Sequence, residues 1–159
     1  MPSEVIGPAF LAILLAVAFF LAARGRSRCK EMRIAIPAAC VTLALQALHV
    51  AEEFATGFHH RLPALLGLDP WSSVFFLSFN CAWLALWSLA IGAIATGRLL
   101  FAARVALLFL ALAACGNALW HPALSLATAA YFPGTATALA LGPAGFILAR
   151  LLLTTETRA

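Results

Sequence analysis

Charge is what this chain has least of. Lys, Arg, Asp and Glu together make up 10% of its 159 residues, where a soluble domain carries about 25%. Apolar residues reach 64%, so a folded domain in water would have no polar shell to close over its core. A soluble globular protein is excluded, and the bilayer has to be the solvent. Aspartate is reduced to Asp69 alone, which excludes an intramembrane aspartyl dyad. The four cysteines, Cys29, Cys40, Cys81 and Cys115, show no CxxC spacing, and most lie inside apolar runs. Neither a disulfide framework nor a zinc ribbon fits them. HExxH and GxSG are missing, and the intramembrane histidines are too few for a histidine-rich di-iron desaturase. The basic residues fall between apolar runs rather than along a stripe, so no nucleic acid is expected as a partner. Met1-Pro-Ser-Glu4 offers no basic leader, and the first apolar run is expected to be a retained span.

What remains is a succession of long apolar stretches. A bilayer core about 30 Å thick needs about 20 helical residues, and spans are predicted at 5–23, 34–54, 70–95, 104–121 with a possible extension to 131, and 135–153. The expected fold is therefore an all-α integral-membrane bundle of five transmembrane helices. Nine of the ten basic residues lie in the linkers after the first and third spans or at the C-terminus: Arg24, Arg26, Arg28, Lys30, Arg33, Arg98, Arg104, Arg150 and Arg158. Only Arg61 lies on the other side. The positive-inside rule then sets the N-terminus outside and the C-terminus in the cytoplasm, with the loops 57–69 and 122–134 facing outward. The expected location is the cell membrane, inner or plasma, in contact with membrane lipids. Asp69-Pro70 reads as an N-cap with a first-turn proline and Gly97 as a C-cap, while Trp71 and Tyr131 are expected in the outer aromatic belt. His59 and His60, beside Arg61, read as solvated interface residues. Five spans do not divide into equal halves, which counts against a symmetric carrier.

Several residues are out of place in such helices. His49, Glu52 and Glu53 share a face of the second span by the i, i+3 and i, i+4 rule, and Gln46 continues it one turn deeper. Asn117 and His121 share a face of the fourth span, and the third contributes Asn80. At about 1.5 Å per residue, His49 lies roughly 22 Å and Glu53 about 28 Å from the cytoplasmic end. Asn117 and His121 fall roughly 20 to 26 Å along their helix, and Asn80 about 15 Å down from outside. Polar groups from three helices thus meet in the outer half of the membrane, where such residues mark functional sites. Two carboxylates at a helix C-terminus also oppose its macrodipole, so helix stability does not call for Glu52 and Glu53.

The strings His49-Val-Ala-Glu52-Glu53, Asn117-Ala-Leu-Trp-His121 and Tyr131-Phe-Pro133-Gly134-Thr-Ala-Thr137 resemble the HxxEE, NxxxH and YxPGxxT motifs of the HXXEE-domain family. All are complete and in order, and they run from the second span to the start of the fifth. The resemblance implies a single multi-pass membrane domain over 1–159 and carries no activity with it. Chemistry has to come from the residues.

Ligands at i and i+4 with a base beside them are a common helical metal arrangement. Here His49 and Glu53 are the helical pair, His121 supplies a ligand from another helix, and Glu52 is the candidate base. Two histidines and a carboxylate suit a catalytic Zn²⁺ with an open position and equally a non-haem Fe²⁺. Asn117 reads as a partner of His121 or a ligand through its carbonyl oxygen. Pro122 removes a helix bond to Ala118 and is expected to kink or end the helix just where His121 is aimed. Phe132-Pro133-Gly134-Thr135 suits a type II turn with Thr135 capping the next helix, whose N-terminus would face the outer pocket and attract an anion. Tyr131 and Thr137 flank that point, Tyr131 as a candidate catalytic group, and Thr137, Gly134 and Asn80 as supporting or substrate-contacting positions. Trp83 and Trp87 either wall the pocket or pack in the membrane.

Two functions follow, from different classes. One is a membrane metalloenzyme that activates water with zinc on an amphiphilic, lipid-like substrate, or acts oxidatively with iron. The other is a carrier or binding module whose His and Glu cluster holds a proton, a metal ion or a lipid headgroup, a homo-oligomer sharing one pathway being its natural form. A plain scaffold would use the cluster only for hydrogen bonds between helices. The acidic pair also invites comparison with the EExxxR motif of CAAX-type membrane proteases, but the arginine position is Gly57.

Overall fold

A computed structural model describes residues 6–24 and 29–154, excluding the side chains of 6–10, 29 and 31. The expected start of the first span at Val5, the N-terminal Met-Pro-Ser-Glu segment, and Arg26, Arg28 and Arg158 lie outside these residues. The described chain is helical throughout, without strands: α1 Ile6–Ala23, α2 Cys29–Met32, a 3-10 turn Arg33–Ala35, α3 Ile36–Ala55, α4 Phe58–Leu65, α5 Ser73–Thr96, α6 Leu100–Ala127 and α7 Thr135–Thr154. Four helical stretches are long and apolar enough to cross a membrane: Arg33–Ala55, Ser73–Thr96, Leu100–Ala127 and Thr135–Thr154. Leu11–Ala23 of α1 is a shorter apolar helix. Cys40, Cys81 and Cys115 are free thiols.

Helix α6 is the central post. Most of its side chains from Ala103 to Ala114 are buried, and α7, α1 and α5 pack around it while α3 closes against α7 and α5. Lipid gives no hydrophobic drive between helices, so close backbone approach has to provide the contact. Small residues allow it here. A Cβ at Gly145 would stand 2.6 Å from the Ala114 Cβ and 2.8 Å from the Ala111 carbonyl oxygen, and one at Gly142 would stand 2.5 Å from the Ala118 Cβ. Gly145→Val is expected to cost about 1–3 kcal/mol by overpacking, seen as a lower melting temperature in detergent. Gly92→Val, at a position where a Cβ meets nothing within 4 Å, is the control and should melt near the native protein.

Arginines pin the ends opposite the candidate site. Arg104 is 1% exposed and donates from Nη2 to the Leu152 carbonyl at 3.0 Å; Arg33 donates to the Ala95 carbonyl at 2.6 Å. Each places a cation at the C-terminal end of a neighbouring helix, where the macrodipole is negative. Arg104 therefore belongs to α6 rather than to the linker expected before it, which shrinks to a tight turn through Gly97 and Leu99, both at positive φ.

Boundaries differ from expectation where prolines and short polar segments compete. The cap of α5 is Ser72, whose hydroxyl accepts from Phe75 N–H at 3.1 Å; Asp69 and Pro70 precede the helix. Gly97 caps its far end in the left-handed conformation. Pro122 does not end α6, which runs on to Ala127, so the expected loop at 122–134 is shorter than predicted. Within the expected loop 57–69 lies α4. Its Pro63 has no N–H to offer the His59 carbonyl, and Trp71 N–H takes that place at 2.9 Å. Trp71 is consequently buried with Val50, Phe58, Phe76 and Phe132 in one cluster.

Candidate metal centre and its cavity

His49, Glu53 and His121 are all buried, and one ligating atom from each lies within 4.8 Å of the others, so together they form a possible metal site. The i, i+4 spacing on α3 stacks His49 beneath Glu53, with Nε2 3.6 Å from Oε1. His121 reaches the same oxygen from α6, with its Nε2 at 3.3 Å. The imidazole rings meet edge-on with centroids 4.7 Å apart. For comparison, two ligand atoms each about 2.1 Å from a tetrahedral ion stand about 3.4 Å apart, close to both distances to Glu53.

The proton positions follow from what surrounds the rings. His121 Nδ1 lies 2.5 Å from the Pro133 carbonyl oxygen, which only accepts, so Nδ1 carries the proton. His49 Nδ1 lies 2.9 Å from the Thr137 hydroxyl oxygen. That hydroxyl donates to Glu52 Oε2, with the Gly134 carbonyl as its other acceptor, so it has only a lone pair left for His49. His49 therefore also carries its proton on Nδ1. With Nδ1 holding its proton, Nε2 of a neutral ring is a lone pair turned toward the Glu53 carboxylate, and His49 Nε2 has no hydrogen-bond partner. Acceptors facing one another in a buried site need a proton or a metal ion among them.

Glu52 is turned away from this cluster. Its Oε1 accepts from the Tyr131 hydroxyl and from Ala136 N–H at 3.1 Å; its Oε2 accepts from Thr137 N–H at 2.8 Å and from the Thr137 hydroxyl. The carboxylate leaves the negative end of its own helix and sits at the positive end of α7. The anion expected at that N-terminus is thus supplied by the protein itself. Desolvation, reinforced by the Glu52 carboxylate, pushes the Tyr131 phenol above its ordinary range, so it stays a donor.

The turn beneath holds both rings. Gly134 has φ +89 and Thr135 N–H donates to the Phe132 carbonyl at 3.2 Å, as in a type II turn. A Cβ at Gly134 would lie 2.6 Å from His121 Cε1 and 2.9 Å from His49 Cε1. Thr135 stitches this turn to α6 through Ser125 at 2.8 Å. Arg61 clamps it from α4, donating to the Tyr131 carbonyl at 2.9 Å.

No protein-family model, curated protein or solved structure matches the chain. The resemblance to the HXXEE-domain family therefore rests on the residues of its motifs.

A cavity of about 350 Å³ opens below the cluster, with Glu53 and His121 in its wall. Asn117, one turn along α6 from His121, and Asn80 line it; Asn80 also donates to the Phe76 carbonyl at 2.9 Å. Asn117 is not the group that orients His121, a task the Pro133 carbonyl performs. That carbonyl had no sequence signal, because its role depends on the fold of the turn. Phe58, tilted against the His121 ring at 5.4 Å, also went unnoticed in a segment read as loop. His59 departs from expectation too. It is buried, stacks on Phe54 and Phe76, and lies 3.2 Å from the Ser73 hydroxyl. Burial, then the neighbouring His60, lowers its pKa, which favours the neutral ring that this stacking accommodates. His60 is exposed.

Proposed function

We propose that the chain is a metal-dependent membrane enzyme that uses water to cleave an amphiphilic, lipid-like substrate in the outer half of the bilayer. In this reading it has five spans, α1 being the first, with the N-terminus outside and the C-terminus in the cytoplasm of a cell or inner membrane. The observation that carries the proposal is the convergence of Glu53 with ring nitrogens whose protons are committed elsewhere, at the mouth of a largely apolar cavity. His49, His121 and Glu53 would hold zinc or ferrous iron. When bound, such an ion acidifies water and polarises a carbonyl or phosphoryl oxygen. Glu53 would hold the ion through the oxygen that meets both rings, and its second oxygen would take the proton of the attacking water and return it to the leaving group. Tyr131, whose hydroxyl meets Glu52 at the exposed edge, orients the substrate headgroup. Glu52, with both oxygens engaged, acts as a positioning residue that sets the His49 tautomer through Thr137.

Elemental analysis of detergent-purified protein tests the metal. Close to one zinc or iron per native chain is expected, lost in folded His49→Ala and in folded His121→Ala; the element found chooses between hydrolytic and oxidative chemistry. Metal-free native protein that also fails to take up added zinc or iron sinks the reading. One observation favours a second: the 3.3 Å approach of His121 Nε2 to Glu53 is also an ion-pair distance for an imidazolium. A proton-handling carrier, working alone or as a homo-oligomer, would use the same cluster and bind no metal.

A further inference from the structure

The cavity contains more than an apolar lining. Glu53 and His121 line it with Asn80, with Gln46 one turn along α3 from His49 and with Asn117 one turn along α6 from His121; Leu14 and Trp87, which pack in the core cluster around Phe109 and Leu110, also line it. Two groups in its wall are buried without a hydrogen-bond partner: the Gln46 side-chain oxygen and the Trp87 indole N–H, on residues 6% and 4% exposed. One is an acceptor and the other a donor. An orphaned buried polar group costs about 1–3 kcal/mol, a cost that a ligand able both to donate and to accept hydrogen bonds would remove. Hydroxyls and amides do both. The volume is near the lower end of the range of about 300–1,000 Å³ for small-molecule sites, which suits one chain rather than two.

From this we infer that the cavity binds a single-chain amphiphile with its reactive end at Glu53 and His121, a hydroxyl or amide at Gln46 and Trp87, and an apolar tail running toward Leu14. The placement of the reactive end rests on the function proposed above; the hydroxyl or amide contact and the tail stand on the cavity itself. Gly116 keeps the space open. It lines the cavity, and a Cβ built on it meets nothing within 4 Å, so a larger side chain there would occupy the ligand's volume without striking a neighbour. Leucine at this position would also remove the helix cost of glycine, so Gly116→Leu should fold at least as well as the native chain.

All four tryptophans, Trp71, Trp83, Trp87 and Trp120, line the cavity, so occupancy is readable by intrinsic fluorescence. The experiment titrates 11-bromoundecanamide, whose bromine quenches tryptophan, into full-length protein in phosphatidylcholine nanodiscs. Methyl 11-bromoundecanoate, which accepts hydrogen bonds but donates none, is the matched probe, and bound metal is counted in every sample. Saturable quenching by the amide is expected, weakened at least tenfold in Gly116→Leu while its metal content stays native. Gln46→Leu should weaken the amide severalfold and leave the ester unchanged. Linear, unsaturable quenching that is the same in native protein and Gly116→Leu would mean partition into the bilayer alone and would overturn the inference. Equal losses for amide and ester in Gln46→Leu would overturn the polar contact. Saturable amide binding in a protein that takes up no metal would leave the cavity assignment standing and sink the metalloenzyme instead.

Discussion

Gly134→Ala is expected to strip the metal from the site while leaving every ligand in place. Two effects act at this position. The backbone stands at φ +89, a conformation that costs an alanine about 1–3 kcal/mol. The new methyl would also lie 2.6 Å from Cε1 and 2.7 Å from Nδ1 of His121 and 2.9 Å from Cε1 of His49, so both rings have to move. A metal site tolerates departures of only about 0.2 Å in its ligand distances, and disturbing the groups that orient the ligands typically costs 10–100-fold in affinity. Gly57→Ala separates the two effects. Gly57 has φ +81, but a Cβ there meets nothing within 4 Å, so this variant bears the backbone strain alone. The measurement is metal per folded chain, with melting temperature, for both variants: both should melt lower, and only Gly134→Ala should lose metal. Retention of native metal by Gly134→Ala would refute the role given to the turn.

That glycine shows where sequence reasoning reaches and where it stops. Pro133-Gly134 was legible as a type II turn because turn chemistry is local; its contact with two imidazoles, each from another helix, was not. The same division holds across the chain. His49 and Glu53 could be placed together from an i, i+4 spacing, and His121 could be matched to them in depth, but only the packing of α6 and α7 aims its Nε2 at the Glu53 oxygen. Helix α4 escaped because His59, His60 and Arg61 interrupt its apolar positions and it is too short to read as a span. Pro122 was expected to kink or end α6, yet proline deletes one backbone bond, and α6 runs on to Ala127 beneath its packing with α7. Asp69 was read as the cap of α5, but Ser72 is an equally good N-cap residue, and the extended backbone at Ser72 makes it the cap. Gln46 was legible as polar and deep, whereas the want of a partner for its oxygen is a property of the fold alone.

Glu52 was the hardest residue to read, since its partners come from residues 131–137 and none from its own helix. Spacing made it a candidate base; its surroundings make it the group that fixes the Thr137 hydroxyl and, through it, the His49 proton. Thr137→Val isolates that link. The variant keeps the β-branch and the backbone N–H that Glu52 accepts from, so the helix N-terminus stays capped, but His49 Nδ1–H loses its acceptor. Metal affinity is expected to fall 10–100-fold with the fold retained, as judged by helical circular dichroism and by competition with a chelator of known affinity. Glu52→Gln should lower metal affinity in the same direction, because it removes the charge at the α7 N-terminus and turns an NH2 group toward the two donors that one carboxylate oxygen had satisfied. A catalytic base behaves differently: a neutral replacement abolishes turnover and leaves the metal bound. A scaffold differs again, since both variants would fold and function unchanged. Full metal occupancy with native affinity in both variants would therefore remove Glu52 and Thr137 from the support of the site and return the carboxylate to the role of base or to mere packing, between which turnover in Glu52→Gln then decides.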